Sequence, residues 1–158
     1  MYCVKKAGLV NIFGLLTVAR ILQKSGKHMA SKYDLHHWDN FYLKTLAIVC
    51  ICWLKNNIYL VSNGSNKIAT FQTRKDGDVL KFFKLATVPD CMGKGIGSFC
   101  LKEIENIALS LGCKEVSCDV YDKSEHALNF YLHKGYTVCG TKETLKYKEL
   151  ELKKVFGE

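Results

Sequence analysis

The feature that most constrains the fold of this 158-residue chain is a glycine-rich turn between a strand-like run and an amphipathic helix. The run at residues 79–88 ends at Pro89, the only proline, which lacks the N–H group that a sheet requires. Glycines follow at 93, 95 and 97, and apolar residues then recur with helical spacing up to Leu111, before Gly112. Such a turn presents free backbone N–H groups and a positive helix dipole, which suit a pyrophosphate.

Two well-known phosphate-binding motifs do not fit this turn. A Walker loop requires Ser or Thr after Gly-Lys, but Lys94 is followed by Gly95. The dinucleotide fingerprint fails because Ser98 stands where its last glycine is required. The turn alone is therefore explained as well by backbone geometry as by ligand binding.

Two helices are predicted before the turn. The first covers residues 9–25 and ends before Gly26, and a polar and aromatic connection or short helix follows over 27–40. Asp39 is placed to cap the second helix, which runs to residues 56–57. The apolar run at residues 45–54 is too short to span a bilayer, so it is predicted to be a buried core helix.

The remaining elements predict a single α+β domain over residues 1–158. Asn63-Gly64 and Asp76-Gly77 separate three strand-like runs at 58–62, 67–74 and 79–88, which indicates an antiparallel meander. A strand near 116–120 follows the glycine-turn helix. A short helix capped by Ser124 comes next, and then two strands near 137–140 and 145–155, whose register is uncertain.

The chain is basic, with 23 Lys and Arg against 15 Asp and Glu, a formal charge of +8. This excess favours an anionic partner. The lysines are scattered and no nucleic-acid recognition motif is present, so nucleic acid is not expected as partner. A membrane is not expected either, because the longest apolar run is too short to span a bilayer. A phosphate-bearing small molecule fits better, with Lys94 beside the glycine turn.

The eight cysteines indicate reduced thiols rather than disulfides or a metal site. None forms a C-x-x-C pair, and Cys50-x-Cys52 has no matching second pair for zinc. The N-terminal apolar run at 9–22 is interrupted by Asn11, Thr17 and Arg20, unlike a signal peptide. A cytoplasmic location without a metal is expected.

Two segments together resemble the GNAT superfamily of N-acetyltransferases. Residues 85–98, followed by an amphipathic helix, resemble its acetyl-CoA motif. Residues 120–136 contain an A-x-x-F-Y-x-x-x-G-Y pattern, from Ala127 to Tyr136, that is similar to its second motif. The resemblance implies a GNAT-like (acyl-CoA N-acyltransferase) fold, a mixed central sheet of about six to seven strands flanked by about four helices.

The resemblance also assigns roles by position. Backbone groups of residues 85–87 would bind the pantetheine, and the amides of residues 93–98 would hold the pyrophosphate. Ala86 or Thr87 N–H would polarise the thioester carbonyl. The chain departs from the family at Met92, usually Gln or Arg, and at Ser124, often Asn; both changes put the strength of CoA binding in doubt. The residues implied to bind acetyl-CoA are Leu85, Ala86, Thr87, Met92, Gly93, Lys94, Gly95, Ile96, Gly97, Ser98, Ser124, Ala127 and Tyr131.

Tyr131 lies where the family has its general acid. A phenol of ordinary pKa, about 10, is close enough to a thiol of about 8.5–9 to protonate the departing CoA thiolate. The general base stays open, because residues 79–88 contain no acid. Asp119, His36, His37, a water chain or an amine that arrives neutral are the alternatives. An acyl-cysteine at Cys91 or Cys118 is disfavoured, because the family transfers directly.

The segment His36-His37-Trp38-Asp39 has no third ligand in the pattern to make a metal site. In the family this region often lines the acceptor pocket, so these residues, with Phe41 and Tyr42, either shape that pocket or simply pack.

The expected function is an acetyl-CoA-dependent N-acetyltransferase that transfers an acetyl group directly to a primary amine of an unidentified acceptor. The alternative is a non-catalytic CoA-binding sensor or binding module, on account of Met92 and the missing strand carboxylate. A monomer or a homodimer is expected, the latter through an exposed strand edge near the C-terminus.

Overall fold

The computed structural model describes residues 1–7, 12–36, 40–144 and 147–157. These residues form a seven-stranded sheet and four helices, together with a short 3-10 turn at Pro89–Cys91. In chain order the elements are β1 (Tyr2–Ala7), α1 (Ile12–Tyr33), α2 (Tyr42–Lys55), β2 (Asn57–Asn63), β3 (Asn66–Asp76), β4 (Val79–Thr87), α3 (Ile96–Ser110), β5 (Glu115–Tyr121), α4 (Glu125–Leu132), β6 (Thr137–Glu143) and β7 (Lys148–Val155).

The sheet has the order β1-β2-β3-β4-β5-β7-β6 and is antiparallel except between β4 and β5. Helices α3 and α4 pack on one face, around a core that includes Phe71, Phe82 and Ile104. Helix α1, with one face of α2, covers the other face, around Val18, Val49 and Ile58. The mixed sheet flanked by four helices is the predicted fold, and the meander from β2 to β4 is confirmed.

The parallel pair β4–β5 separates after a short contact. Residues 79–81 pair with 115–117, and the two strands share no further register beyond this point. On the other side of β4, Gln72 pairs with Phe83 and Thr70 with Ala86, so β4 has an extra residue there. Lys84 in this bulge has φ 49°, in the left-handed region. The bulge bends β4 and accompanies its separation from β5, which opens the sheet.

The N-terminal region differs from the prediction in two ways. Residues 2–7, which carried no prediction, form the edge strand β1 and pair with β2. Helix α1 continues past Gly26, which is buried, to Tyr33. It ends where Asp34 takes φ 55° and Leu35 N–H donates to Met29 O at 3.3 Å. The left-handed Asp34 and the hydrogen bond from Leu35 to Met29 therefore end the helix, whereas Gly26 lies within it.

The prediction that residues 45–54 form a buried helix is correct for the helix and wrong for its burial. Of the residues of α2, only Thr45 and Val49 are buried. Leu43, Ile51 and Leu54 are 69 %, 58 % and 76 % exposed. The helix is apolar on all sides, so the sequence could not indicate that the fold would cover only one of them.

Three smaller predictions concern helix ends and the last strands. The proposed cap Asp39 lies outside the described residues, and Phe41 occupies the position before α2. Ser124 precedes α4 as predicted, but its side chain makes no capping hydrogen bond. The C-terminal strands are β6 and β7, and β7 is inserted between β5 and β6.

Candidate active site

A cavity of about 570 Å³ opens where β4 and β5 separate. Its walls come from β4, β5, the glycine turn, the beginnings of α3 and α4, and the last turns of α1. All the residues predicted to bind acetyl-CoA lie in this lining except Lys94. The remaining lining residues are Ser25, Met29, Tyr33, Phe82, Phe83, Lys84, Cys91, Cys118, Asp119, Val120, Tyr121, His126 and Phe130.

The glycine turn presents the N-terminus of α3 to the cavity. Gly93 and Gly95 have φ values of 73° and 77°, a left-handed conformation that residues with a Cβ adopt at a cost. Gly95 is the residue before α3, and no acidic side chain lies in the first turn of the helix. The N–H groups of Ile96, Gly97 and Ser98 have no carbonyl partner within α3, so they and the helix dipole form a site for an anion.

Lys94 does not face this site. Its Nζ donates a hydrogen bond to the carbonyl oxygen of Asp90 at 2.8 Å, at the surface. The positive potential of the turn therefore comes from backbone amides and the helix end, and Lys94 closes the turn on its outer side.

The end of β4 provides a second binding element. Ala86 and Thr87 pair with Thr70 and Ala69 of β3 on one side. On the other side β5 no longer pairs, because the register between the two strands ends at Lys81 and Ser117. Backbone groups directed toward β5 at this end are open to the cavity, and an amide-containing chain such as pantetheine can bind to them as an added strand would.

Tyr131 is buried between α4 and the sheet. Its ring lies 5.8 Å from that of Phe82 and 5.7 Å from that of Tyr136, between centroids. Burial raises the pKa of the Tyr131 phenol well above 10, and the neighbouring Cys118, Tyr136 and Cys100 add to this. The expectation of an ordinary pKa is thus wrong. The phenol is neutral at every physiological pH, so its O–H group is available as a hydrogen-bond donor.

Tyr136, the other tyrosine of this cluster, has a different role. Its hydroxyl donates a hydrogen bond to Glu105 Oε1 at 3.4 Å, and Lys154 Nζ binds the same oxygen at 3.0 Å. Tyr136 is not part of the cavity lining. It joins α3 to the sheet, whereas Tyr131 borders the cavity.

The end of α1 and the start of α4 meet at the cavity. The Tyr33 ring stacks on the His126 ring with centroids 4.3 Å apart and an interplanar angle of 9°, which connects the end of α1 to the start of α4. Burial lowers the pKa of His126, and the nearby Lys32 lowers it further. His126 is therefore neutral at pH 7 and able to accept a proton.

The candidate bases have different positions. Asp119 lines the cavity and forms an ion pair with Lys81, with Oδ2 and Nζ 2.9 Å apart. His36 lies at the surface with Nε2 3.0 Å from Asp34 Oδ1, outside the lining. His37 lies outside the described residues. Nearby Glu149 has a raised pKa because of burial and Asp119, which Lys142, Lys81 and Lys84 partly oppose.

The aromatic residues at the start of α2 and just before it have different surroundings. Tyr42 packs against the core of that side and donates a hydrogen bond from its hydroxyl to the Leu16 carbonyl at 3.3 Å. Phe41 is exposed, and Trp38 lies outside the described residues. Neither Phe41 nor Tyr42 lines the cavity.

The sequence had no signal for Tyr33 and Met29, because the predicted first helix ended at residue 25. His126 lies inside the second motif, at residues 120–136, so the sequence did carry a signal for it. The two cavity cysteines differ: burial strongly raises the pKa of Cys118, whereas Cys91 is half-buried. A raised pKa makes Cys118 a poor nucleophile.

Two features are absent from the part of the chain that the structure describes. No group of three His, Cys, Asp or Glu side chains is arranged to hold a metal ion there. Within the same residues, no helix combines the length and apolarity that crossing a bilayer requires.

The sequence profile of the acetyltransferase (GNAT) family matches residues 23–136, which include the glycine turn, Tyr131 and most of the cavity. The chain belongs to the GNAT family of acetyltransferases. This GNAT protein has no significantly similar sequence among curated proteins. The family assignment confirms the resemblance on which the predicted fold depends.

Solved structures share the fold of this GNAT domain at low sequence identity. The ribosomal-protein-S18-alanine N-acetyltransferase of Escherichia coli has a TM-score of 0.73 at 13 % identity, over 97 % of this chain and 92 % of that one. The PaiA N-acetyltransferase of Thermoplasma acidophilum, in complex with coenzyme A, has 0.70 at 18 % identity, over 99 % of each chain. A GNAT acetyltransferase of Elizabethkingia anophelis with acetyl-CoA bound has 0.75 at 12 %, over 98 % of each.

Proposed function

We propose that this protein is an acetyl-CoA-dependent N-acetyltransferase of the cytoplasm that transfers an acetyl group directly to a primary amine. One observation carries the proposal: a single cavity combines the open end of β4, the amides of the glycine turn and the buried, neutral Tyr131. The structures with bound coenzyme A and acetyl-CoA among its structural relatives support the choice of donor.

The residues present fit acetyl-CoA by their chemistry. The amides of residues 93 and 95–98 would hold the pyrophosphate, because they are unpaired donors at the positive end of α3. The backbone of residues 85–87 would hydrogen-bond the amides of the pantetheine. Met92 supplies no charge at the turn, so backbone donors carry this binding. Ser124 and Ala127, at the start of α4, border the same cavity.

When bound, acetyl-CoA supplies an acetyl group activated as a thioester. The acceptor nitrogen forms a bond to the acetyl carbon while the carbon–sulfur bond breaks and its electron pair leaves on sulfur. The N–H of Ala86 or Thr87 would stabilise the developing negative charge on the carbonyl oxygen. Tyr131 would donate its phenolic proton, or a strong hydrogen bond, to the departing sulfur. The raised pKa weakens Tyr131 as an acid, so this proton transfer would require that the same burial also make the departing thiolate more basic.

The proton that the amine loses has two acceptors in the cavity. His126 is neutral because of its lowered pKa, and it lies beside Tyr33 at the wall formed by α1. Asp119 forms an ion pair with Lys81. It can accept the proton through water only in competition with that ion pair. We assign the role to His126, directly or through water.

A non-catalytic CoA-binding protein is the second candidate, and the Lys81–Asp119 pair favours it. The ion pair engages the carboxylate of Asp119, which lines the cavity, and residues 79–88 contain no acid. Such a protein would bind acetyl-CoA and release no CoA with any acceptor.

The test measures CoA release by chromatography, because the exposed cysteines Cys3, Cys50 and Cys139 would react with thiol reagents. A panel of amines that covers peptide N-termini, lysine side chains, polyamines and small amino compounds is incubated with acetyl-CoA. Saturable release with at least one amine, lost in Tyr131→Phe, supports the enzyme. A rise in melting temperature with acetyl-CoA but no release with any amine supports the sensor. No rise and no release contradict both.

A further inference from the structure

Helix α2 exposes a continuous apolar stripe. Leu43, Ala47, Cys50, Ile51 and Leu54 follow one another at helical spacings of four, three, one and three residues, and all are exposed. At 100° per residue these five side chains lie within about one third of the helix circumference. We call this set the α2 stripe.

The α2 stripe lies opposite the face that the fold buries. Thr45 and Val49, the buried residues of α2, point away from it by about half a turn. The helix contains no acidic residue, and its only charged residues are Lys44 and Lys55. Both lie along one border of the stripe. A surface helix ordinarily has a polar outer face, so an apolar outer face indicates a surface that is covered in use.

The charged residues of helices α1 and α2 all have one sign. Helices α1 and α2 together carry six basic residues and no acidic one. These residues are Arg20, Lys24, Lys27, Lys32, Lys44 and Lys55. Up to residue 55 the chain has eight basic and two acidic residues, whereas beyond it basic and acidic residues number fifteen and thirteen. Most of the net charge of +8 therefore belongs to the N-terminal region.

We propose that the α2 stripe binds the surface of an anionic lipid bilayer, with α2 parallel to the membrane plane. Apolar side chains on one side of a helix, bordered by lysines, combine burial in the interface with attraction to acidic headgroups. The sequence indicated no membrane partner because its apolar runs are too short to span a bilayer. Binding to one leaflet requires no span.

The alternative occupant of the stripe is a second copy of the chain, and the charges oppose it. A two-fold antiparallel pairing of α2 centred on the stripe would bring Lys44 of one copy close to Lys55 of the other. Two helical layers without a single acidic residue would then face each other. Like charges across an interface are unfavourable, whereas an anionic surface is attracted to the same lysines.

Membrane binding is separable from the acetyl transfer proposed above. No residue of α2 lines the cavity, so substitutions in the stripe leave the binding and catalytic groups in place. The two properties can therefore be measured on the same variants.

The experiment is co-sedimentation of the full chain with vesicles of phosphatidylcholine alone and of phosphatidylcholine mixed with phosphatidylserine. We expect binding to the mixed vesicles only, and weaker binding as salt is added. The double variant Ile51→Glu/Leu54→Glu should lower the partition coefficient by about tenfold or more. Lys44→Glu/Lys55→Glu should lower it on the mixed vesicles too. Leu109→Glu on α3, 56 % exposed and outside the stripe, is the matched control and should bind normally.

Three results would overturn the proposal. The first is absence of the wild-type chain from the mixed-vesicle pellet. The second is equal loss of binding in Leu109→Glu and in the stripe variant. The third is a concentration-dependent dimer in sedimentation equilibrium that Ile51→Glu dissociates, without vesicle binding. Circular dichroism melts check that each variant is folded, and the salt dependence of the wild type tests the proposal without any substitution.

Discussion

Helices α3 and α2 are similar in length, yet the protein uses them differently. Five residues of α3 are buried, and charged or polar residues such as Lys102 and Asn106 are exposed on its outer side. Only two residues of α2 are buried, and its outer side is apolar. The pattern of α3 has one apolar face, so the sequence specifies what it packs against. The pattern of α2 has no polar face, so its orientation depends on the sheet and α1.

This difference separates two halves of the molecule. The half around α3 and α4 holds the groups proposed to bind and activate the acetyl donor, in a packed core. The N-terminal half adds one wall of the cavity through the end of α1 and presents an unpartnered surface on α2. Substitutions in the core and site of the first half should change catalysis or stability strongly, whereas matched substitutions on the exposed side of α2 should not.

The largest effect is expected for Tyr131→Phe. Removing the phenolic oxygen removes the proposed proton donor, so kcat should fall about 10²-fold with little change in KM. Tyr136→Phe is the matched control, because its hydroxyl binds Glu105 away from the cavity. It should lose some stability and keep its kcat. Equal turnover of Tyr131→Phe and wild type would remove Tyr131 from the mechanism.

The next contrast compares the two helices directly by leucine truncation. Leu101→Ala on α3, where the side chain is 2 % exposed, should lower the free energy of unfolding by about 2–5 kcal/mol. Leu54→Ala on α2 should change it by less than about 0.5 kcal/mol. Urea denaturation followed by circular dichroism measures both. Comparable losses of the free energy of unfolding would mean that the α2 stripe is packed within the protein, which contradicts its exposure to solvent.

A smaller effect distinguishes a loss of ligand affinity from a loss of stability that backbone strain causes. Gly95→Ala and Gly112→Ala both place a Cβ at positive φ with no neighbouring atom within 4 Å. Each should lower stability by about 1 kcal/mol. Only Gly95 begins α3 at the cavity, so only Gly95→Ala should also weaken acetyl-CoA binding, by about tenfold. Calorimetric titration with acetyl-CoA distinguishes the two, and equal affinity in both variants would contradict the pyrophosphate site.

The smallest effect concerns thiol protection. Exposed Cys3, Cys50 and Cys139 should react with iodoacetamide first, whereas burial raises the pKa of Cys100 to about 12 and should keep it unreactive. Cys91 lines the cavity, so acetyl-CoA should slow its labelling severalfold and leave Cys50 unchanged. Mass spectrometry of labelled peptides gives each rate. Unchanged labelling of Cys91 would indicate that the ligand binds elsewhere.

Local signals account for most of what the sequence predicted correctly. Hairpin turns at Gly64 and Gly77, the strand end before Pro89 and the helix end at Gly112 depend on the conformations available to those residues and their neighbours. The predicted end of α1 at residue 25 was wrong, because Gly26 is buried within the helix and Asp34 takes the left-handed conformation instead. The strand β1 was not predicted, because a six-residue strand at the edge of a sheet carries little periodic signal.

The sequence by itself determined the family, the strand–turn–helix that begins α3 and the position of Tyr131, because spacing and glycine conformations are local properties of the chain. Only the tertiary structure decided that β4 and β5 separate, that Tyr33 and His126 stack at the cavity wall, and that burial raises the pKa of Tyr131. It also decided that α2 turns an apolar face outward. These properties depend on which distant segments pack together, and a helix that is apolar all round can pack with any of its faces.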